Sequence, residues 1–166
     1  MKKYLFLLII SVVFATRANA QFIEENTLDK FTQTQTLQTS FEKIGSSNPG
    51  NVKIALRAIN NTVILRLKWG VGTIIEKGEN VIFLDDEGNK YPFHVIELTT
   101  SKRRGPENLW EYMDIFTIGD WEAMKGKTIT DLRIISVDGY TDITIKSQGA
   151  KRINRVWEIF DKSLLR

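Results

Sequence analysis

The chain has 166 residues, with 23 Lys and Arg against 20 Asp and Glu, a formal charge of +3, no cysteine and one histidine. Those counts exclude a disulfide framework, a thiolate nucleophile or metal site, and any multi-histidine metal centre. The basic excess does not mark a nucleic-acid binder: Lys2, Lys3 and Arg17 lie in a first twenty residues that hold no acid, and without them residues 21–166 carry 20 basic and 20 acidic side chains.

Met1-Lys2-Lys3, the apolar run Tyr4 to Phe14 and the ending Ala18-Asn19-Ala20 have the three-part layout of a secretory signal. Cleavage between Ala20 and Gln21 would place Gln21 at the mature N-terminus and send the protein to the periplasm or outside the cell. The apolar run is well short of the roughly 18–20 residues that span a bilayer, so the mature chain is expected to have no transmembrane span. Residues 21–166 are then read as one domain, long enough to bury about 68–70% of its unfolded surface without disulfides.

Gln21 to Lys30 reads as an extended leader. Phe31 to Phe41 alternates, with Thr32, Thr34 and Thr36 on one face and Phe31, Leu37 and Phe41 on the other, and is expected to be an edge strand. Gly45 to Gly50 reads as a loop. Val52–Ile59 and Thr62–Trp69 are two strands joined by Asn60-Asn61, a two-residue hairpin turn. A short strand at Thr73–Ile75, strands at Val81–Leu84 and Tyr91–Thr100 around Asp85-Asp86-Glu87-Gly88-Asn89, a basic loop at Thr100–Asn108 and an aromatic strand Leu109–Ile118 follow. Asp120 is placed to cap one helical turn, Trp121–Lys125, which Gly126 ends. Thr128–Val137 and Tyr140–Ile145 pair across Asp138-Gly139, and from Gly149 the period becomes helical, with Ala150, Ile153, Val156, Trp157 and Phe160 on one face. The reading is a mainly β fold: an antiparallel β-sandwich or small barrel of about eight strands with a C-terminal amphipathic helix over 149–162.

The candidate sites compete with simpler roles. His94 is the one neutral-pH general base, but it alternates with Phe93 and Val95 in a strand and no nucleophile motif accompanies it. The Asp85–Asn89 run offers oxygens to calcium without the spacing of a calcium loop, so a solvated turn is the better reading. Lys102, Arg103 and Arg104, with Lys125 and Lys127, form a candidate anion surface, but the run sits in a Gly-Pro loop of an electrically balanced mature chain, so a solvated loop is the better reading. Of the four tryptophans, Trp69, Trp110 and Trp157 fall on core faces, and Trp121 is the one expected to be partly exposed.

The segment Asp29-Lys30-Phe31-Thr32, and the stretch from Lys127 through Asp138-Gly139-Tyr140 followed by a strand and a basic helix, resemble a group of small uncharacterised exported β-rich bacterial domains. The resemblance implies the architecture and no assigned activity. With no catalytic motif and no cofactor loop, the expected function is an exported non-enzymatic domain that binds a protein or glycan partner rather than nucleic acid. A small-ligand-binding barrel and a carboxylate-based glycan hydrolase are the alternatives.

Overall fold

The computed structural model describes residues 22–47, 50–101, 103–104, 109–110 and 112–164, with side chains left aside at 103–104 and 109–110. The expected signal segment, including Ala20 and Gln21, lies outside them. Ten strands form one antiparallel sheet: β1 (Ile23–Leu28), β2 (Gln35–Thr39), β3 (Glu42–Ser47), β4 (Gly50–Ile59), β5 (Thr62–Trp69), β7 (Asn80–Asp85), β8 (Lys90–Val95), β12 (Met113–Gly119), β13 (Ile129–Ser136) and β14 (Gly139–Thr144). Their order is β1-β2-β4-β5-β12-β8-β7-β13-β14, with β3 also paired to β4. Two short ladders stand apart, β6 (Ile74–Ile75) with β9 (Thr99–Thr100), and β10 (Arg103–Arg104) with β11 (Leu109–Trp110). A 3-10 turn at Glu122–Met124 precedes β13, and the chain ends in helix α1 (Ser147–Leu164).

The alternation that makes each strand also makes the core. On β5, Leu65, Leu67 and Trp69 point inward, and on β4 so do Val52, Ile54 and Leu56. Across the molecule Val81 and Phe83 of β7, Phe93 of β8 and Leu132 and Ile134 of β13 meet the same cluster, with Phe83 and Phe93 in edge-to-face contact at 5.6 Å. The sheet bends over this core like a sandwich until β3 lies beside β14. There a Cβ on Gly45 would stand 3.0 Å from Ile143 Cγ2. No ladder joins β3 to β14 among the described residues, so the sheet does not close into a barrel. Helix α1 seals the opening with Ala150, Ile153, Val156, Trp157 and Phe160, the stripe expected from its period. Its first turn comes so close to β3 that a Cβ on Gly149 would lie 2.1 Å from the Ile44 carbonyl oxygen. No helix among the described residues is long and apolar enough to cross a membrane.

Three expectations are corrected in detail. Gln21–Lys30 is no simple leader, because Ile23–Leu28 is the outermost strand of the sheet and pairs with β2. The expected strand Phe31–Phe41 is cut at its start by a turn. Asp29 Oδ1 accepts hydrogen bonds from Phe31 N (2.8 Å) and Thr32 N (3.2 Å), and Gln33 adopts φ 55. Asp29 competes locally with the ladder, and the alternating threonines concealed that competition. Gly45–Gly50 was expected to be a loop, yet residues through Ser47 belong to β3. Those small polar residues have weak strand propensity, and the ten-residue β4 supplies their ladder.

Candidate functional site

The outer face of β4, β5 and β12 carries an unusual concentration of charge. Arg66, only 9% exposed, lies between the rings of Phe41 and Phe116, 5.1 and 4.7 Å from their centroids. Its guanidinium bonds both oxygens of Asp114 and donates to Gln38 Oε1, and Gln38 Nε2 donates in turn to Glu24 Oε2 at 2.6 Å. A guanidinium so enclosed must be paired, and here it is. One register step away, Lys43 of β3 lies opposite Lys53 of β4, Lys53 opposite Lys68 of β5, and Lys68 opposite Asp114 of β12. Asp114 is already held by Arg66. Among the described residues, Lys43, Lys53 and Lys68 have no carboxylate partner. Lys53 instead sits 4.8 Å over the Tyr112 ring and Lys68 4.2 Å over the Phe41 ring. Asn51 Nδ2, donating to Tyr112 Oη at 3.5 Å, helps to hold that ring.

A second surface is the tip of the β1–β2 ribbon. Phe31 is 100% exposed there and Leu28 is 57% exposed. The turn that carries them is tied together: Asp29 N donates to Thr34 O at 2.9 Å, Gln33 Nε2 to Lys30 O at 2.8 Å, and the Thr32 and Thr34 hydroxyls are 2.8 Å apart. The Asp29 carboxyl is held below its usual range, chiefly by the backbone N–H of Phe31 and then that of Thr32. A large apolar ring is therefore presented to water by an ordered turn, beside a strand that, among the described residues, is paired on one side only.

The acidic tip Asp85–Asn89 is organised from within. Asp85 is buried and accepts from Glu87 N (3.0 Å), Asn89 N (2.8 Å), Asn89 Nδ2 (3.0 Å) and Tyr91 Oη (2.7 Å). Burial pushes its pKa up, but donation from the Asn89 side chain, Tyr91 and the two backbone N–H groups outweighs this and lowers it to about 2. The same hydrogen bond, reinforced by burial, raises Tyr91 to about 12. Among the described residues, no group of three or more potential ligands is placed to hold a metal.

His94 is exposed on β8 between Asn80 and Ile118. An open groove of about 300 Å³ on the outer face of β7, β13 and β14 is lined by Ile82, Leu84, Lys90, Asp131, Arg133 and Asp142. Asp142 receives two hydrogen bonds from Arg133, at 2.6 and 2.7 Å, which lower its pKa against the opposing effect of burial. A glycosidase acid needs a carboxyl pushed up instead.

Of the residues singled out by the sequence, Lys102 lies outside the described residues. The backbone of Arg103–Arg104 forms β10, ahead of the Met113 end of β12. Trp121 follows the other end of β12 and is half-buried, packing at 6.1 Å on Trp157 and edge-on at 5.6 Å to Phe160. Arg103–Arg104 and Trp121 thus adjoin opposite ends of a seven-residue strand, about 20 Å long. Lys125 pairs with Asp161 and Lys127 with Glu87 at 3.4 Å, so neither is a free cation. The lysine row was legible in one respect: a two-residue turn at Asn60-Asn61 sets Lys53 opposite Lys68. Comparison with family models, curated proteins and solved structures finds no match to this chain.

Proposed function

We propose that the mature chain is an exported, non-enzymatic binding domain that takes a protein partner on its β1–β2 ribbon. The observation that carries this reading is Phe31, fully exposed at the tip of a hydrogen-bonded turn. Aromatic rings presented by a rigid frame contribute much contact area at little cost in conformational entropy. β1 lies beside it at the end of the sheet, so a partner strand could add to its open side while Phe31 and Leu28 enter an apolar pocket. Glu24 and Glu25 on β1 keep that edge from pairing indiscriminately. An interior filled by Trp69, Phe83, Trp157 and Phe160 favours a surface interaction over an enclosed small ligand.

The experiment is recovery of cross-linked partners from the periplasm with wild-type protein, Phe31→Ser and Asn26→Pro. The account expects both variants to fold and secrete normally and to lose the same partner. Unchanged recovery from both would contradict it.

A further inference from the structure

We propose that the outer face of β3, β4 and β5 binds an acidic polysaccharide, whose successive carboxylates meet Lys43, Lys53 and Lys68. This surface is separate from the ribbon tip and stands independently of it. Like charges directly opposite on neighbouring strands destabilise a sheet, and this row contains two such pairs in succession, Lys43–Lys53 and Lys53–Lys68. Asp114, the carboxylate at the end of the row, is committed to both sides of the Arg66 fork. The row therefore repels itself in the free protein and is relieved by an anion.

The ammonium groups of Lys53 and Lys68 are also positioned. Tyr112 and Phe41 hold them by their ring faces, leaving their N–H donors to be used. Lys43 extends the row to the β3–β14 seam, where it and Lys146 line a concavity of about 560 Å³.

Spacing selects the class of anion. Adjacent strands lie about 4.8 Å apart, so the backbone positions of the lysines repeat at about that interval across the sheet. One pyranose ring covers a similar step, and a polyuronate carries a carboxylate on every ring. An extended acidic peptide presents same-face side chains about 6.8 Å apart and would fall out of register after one contact. A bilayer of anionic lipids would need the face to be convex and fringed with exposed apolar residues. This row instead runs from the β3–β14 seam across β4 and β5, beside an enclosed arginine.

The test is calorimetric titration of the purified protein with polygalacturonate, with polyglutamate, dextran and phosphatidylglycerol vesicles as parallel arms, at low and at 0.15 M salt. The account expects polygalacturonate to bind, salt to weaken it, and Lys53→Gln/Lys68→Gln to weaken it about tenfold or more. Lys90→Gln, on another part of the sheet, should leave binding unchanged. Thermal melting of the double variant should be unchanged or raised, because the repelling pair is gone, which separates lost binding from lost folding. Equal or tighter binding of polyglutamate or of the vesicles would overturn the polysaccharide assignment. Absence of polygalacturonate binding, or binding indifferent to the double substitution, would overturn the site.

Discussion

Asp85 sits beneath its own turn with four hydrogen-bond donors around it, so the folded protein keeps it ionised to lower pH than an unfolded aspartate. Its folded pKa of about 2 lies below the ordinary 3.8, so its contribution is complete above about pH 4 and is lost as pH falls towards 2. Thermal melts of wild type and Asp85→Asn at pH 6, 4, 3 and 2 should converge as the acid end is approached, and equal acid sensitivity would count against this role. Tyr91 acts in the opposite sense: with its folded pKa raised to about 12, its share of stability is present below about pH 10 and fades between 10 and 12. The inward position of Asp85 was open to reading from the sequence, since Val81, Phe83 and Asp85 share one face by alternation. The run of acids drew attention to its composition instead of its phase. Arg66 is the second decisive residue. Arg66→Ala would strand Gln38 and Asp114, and because Asp114 is partly exposed, urea unfolding should show a loss of about 3 kcal/mol, near the lower limit for breaking an enclosed pair.

The elements divide by how their patterns compete with local chemistry. The β4–β5 hairpin, the β13–β14 hairpin and α1 were all expected, because alternation, turn residues and helical period agree in each. α1 runs two residues beyond the expected 149–162 at each end, over Ser147, Gln148, Ser163 and an exposed Leu164, which add nothing to its buried stripe. β1, β3 and the turn between β1 and β2 escaped because they carry few apolar residues; what fixes them is pairing with the next strand and, at the turn, the Asp29 carboxyl. Gly149 illustrates this dependence on context. In an ordinary helix interior Gly→Ala gains up to about 1 kcal/mol, but here the added methyl would meet the Ile44 carbonyl. Gly149→Ala should therefore lower stability, measured by urea unfolding; a gain would mean that α1 does not seat on β3 this closely.

For the whole molecule, the mainly β architecture and terminal helix could be read from the chain, whereas the choice between a closed barrel and a folded-over sheet could not. That choice rests on whether β3 bonds to β14, and the small residues around Gly45 give no signal of it. Trp157 joins the helix to the folded sheet, and Trp157→Ala should cost about 3–5 kcal/mol in urea unfolding. The formal +3 belongs to the first twenty residues, and local rows of charge replace it as the feature that points to partners. The candidate surfaces now in view, the ribbon tip and the lysine row, arise from register and turn geometry, which composition does not report. The most direct measurement places a photoreactive phenylalanine analogue at position 31 and, as a control, at the exposed position 90. Illumination in the producing cell should give a discrete higher-mass adduct from position 31 alone, lost when Asn26→Pro is added. No adduct at position 31, or the same adducts from both positions, would contradict recognition through the ribbon.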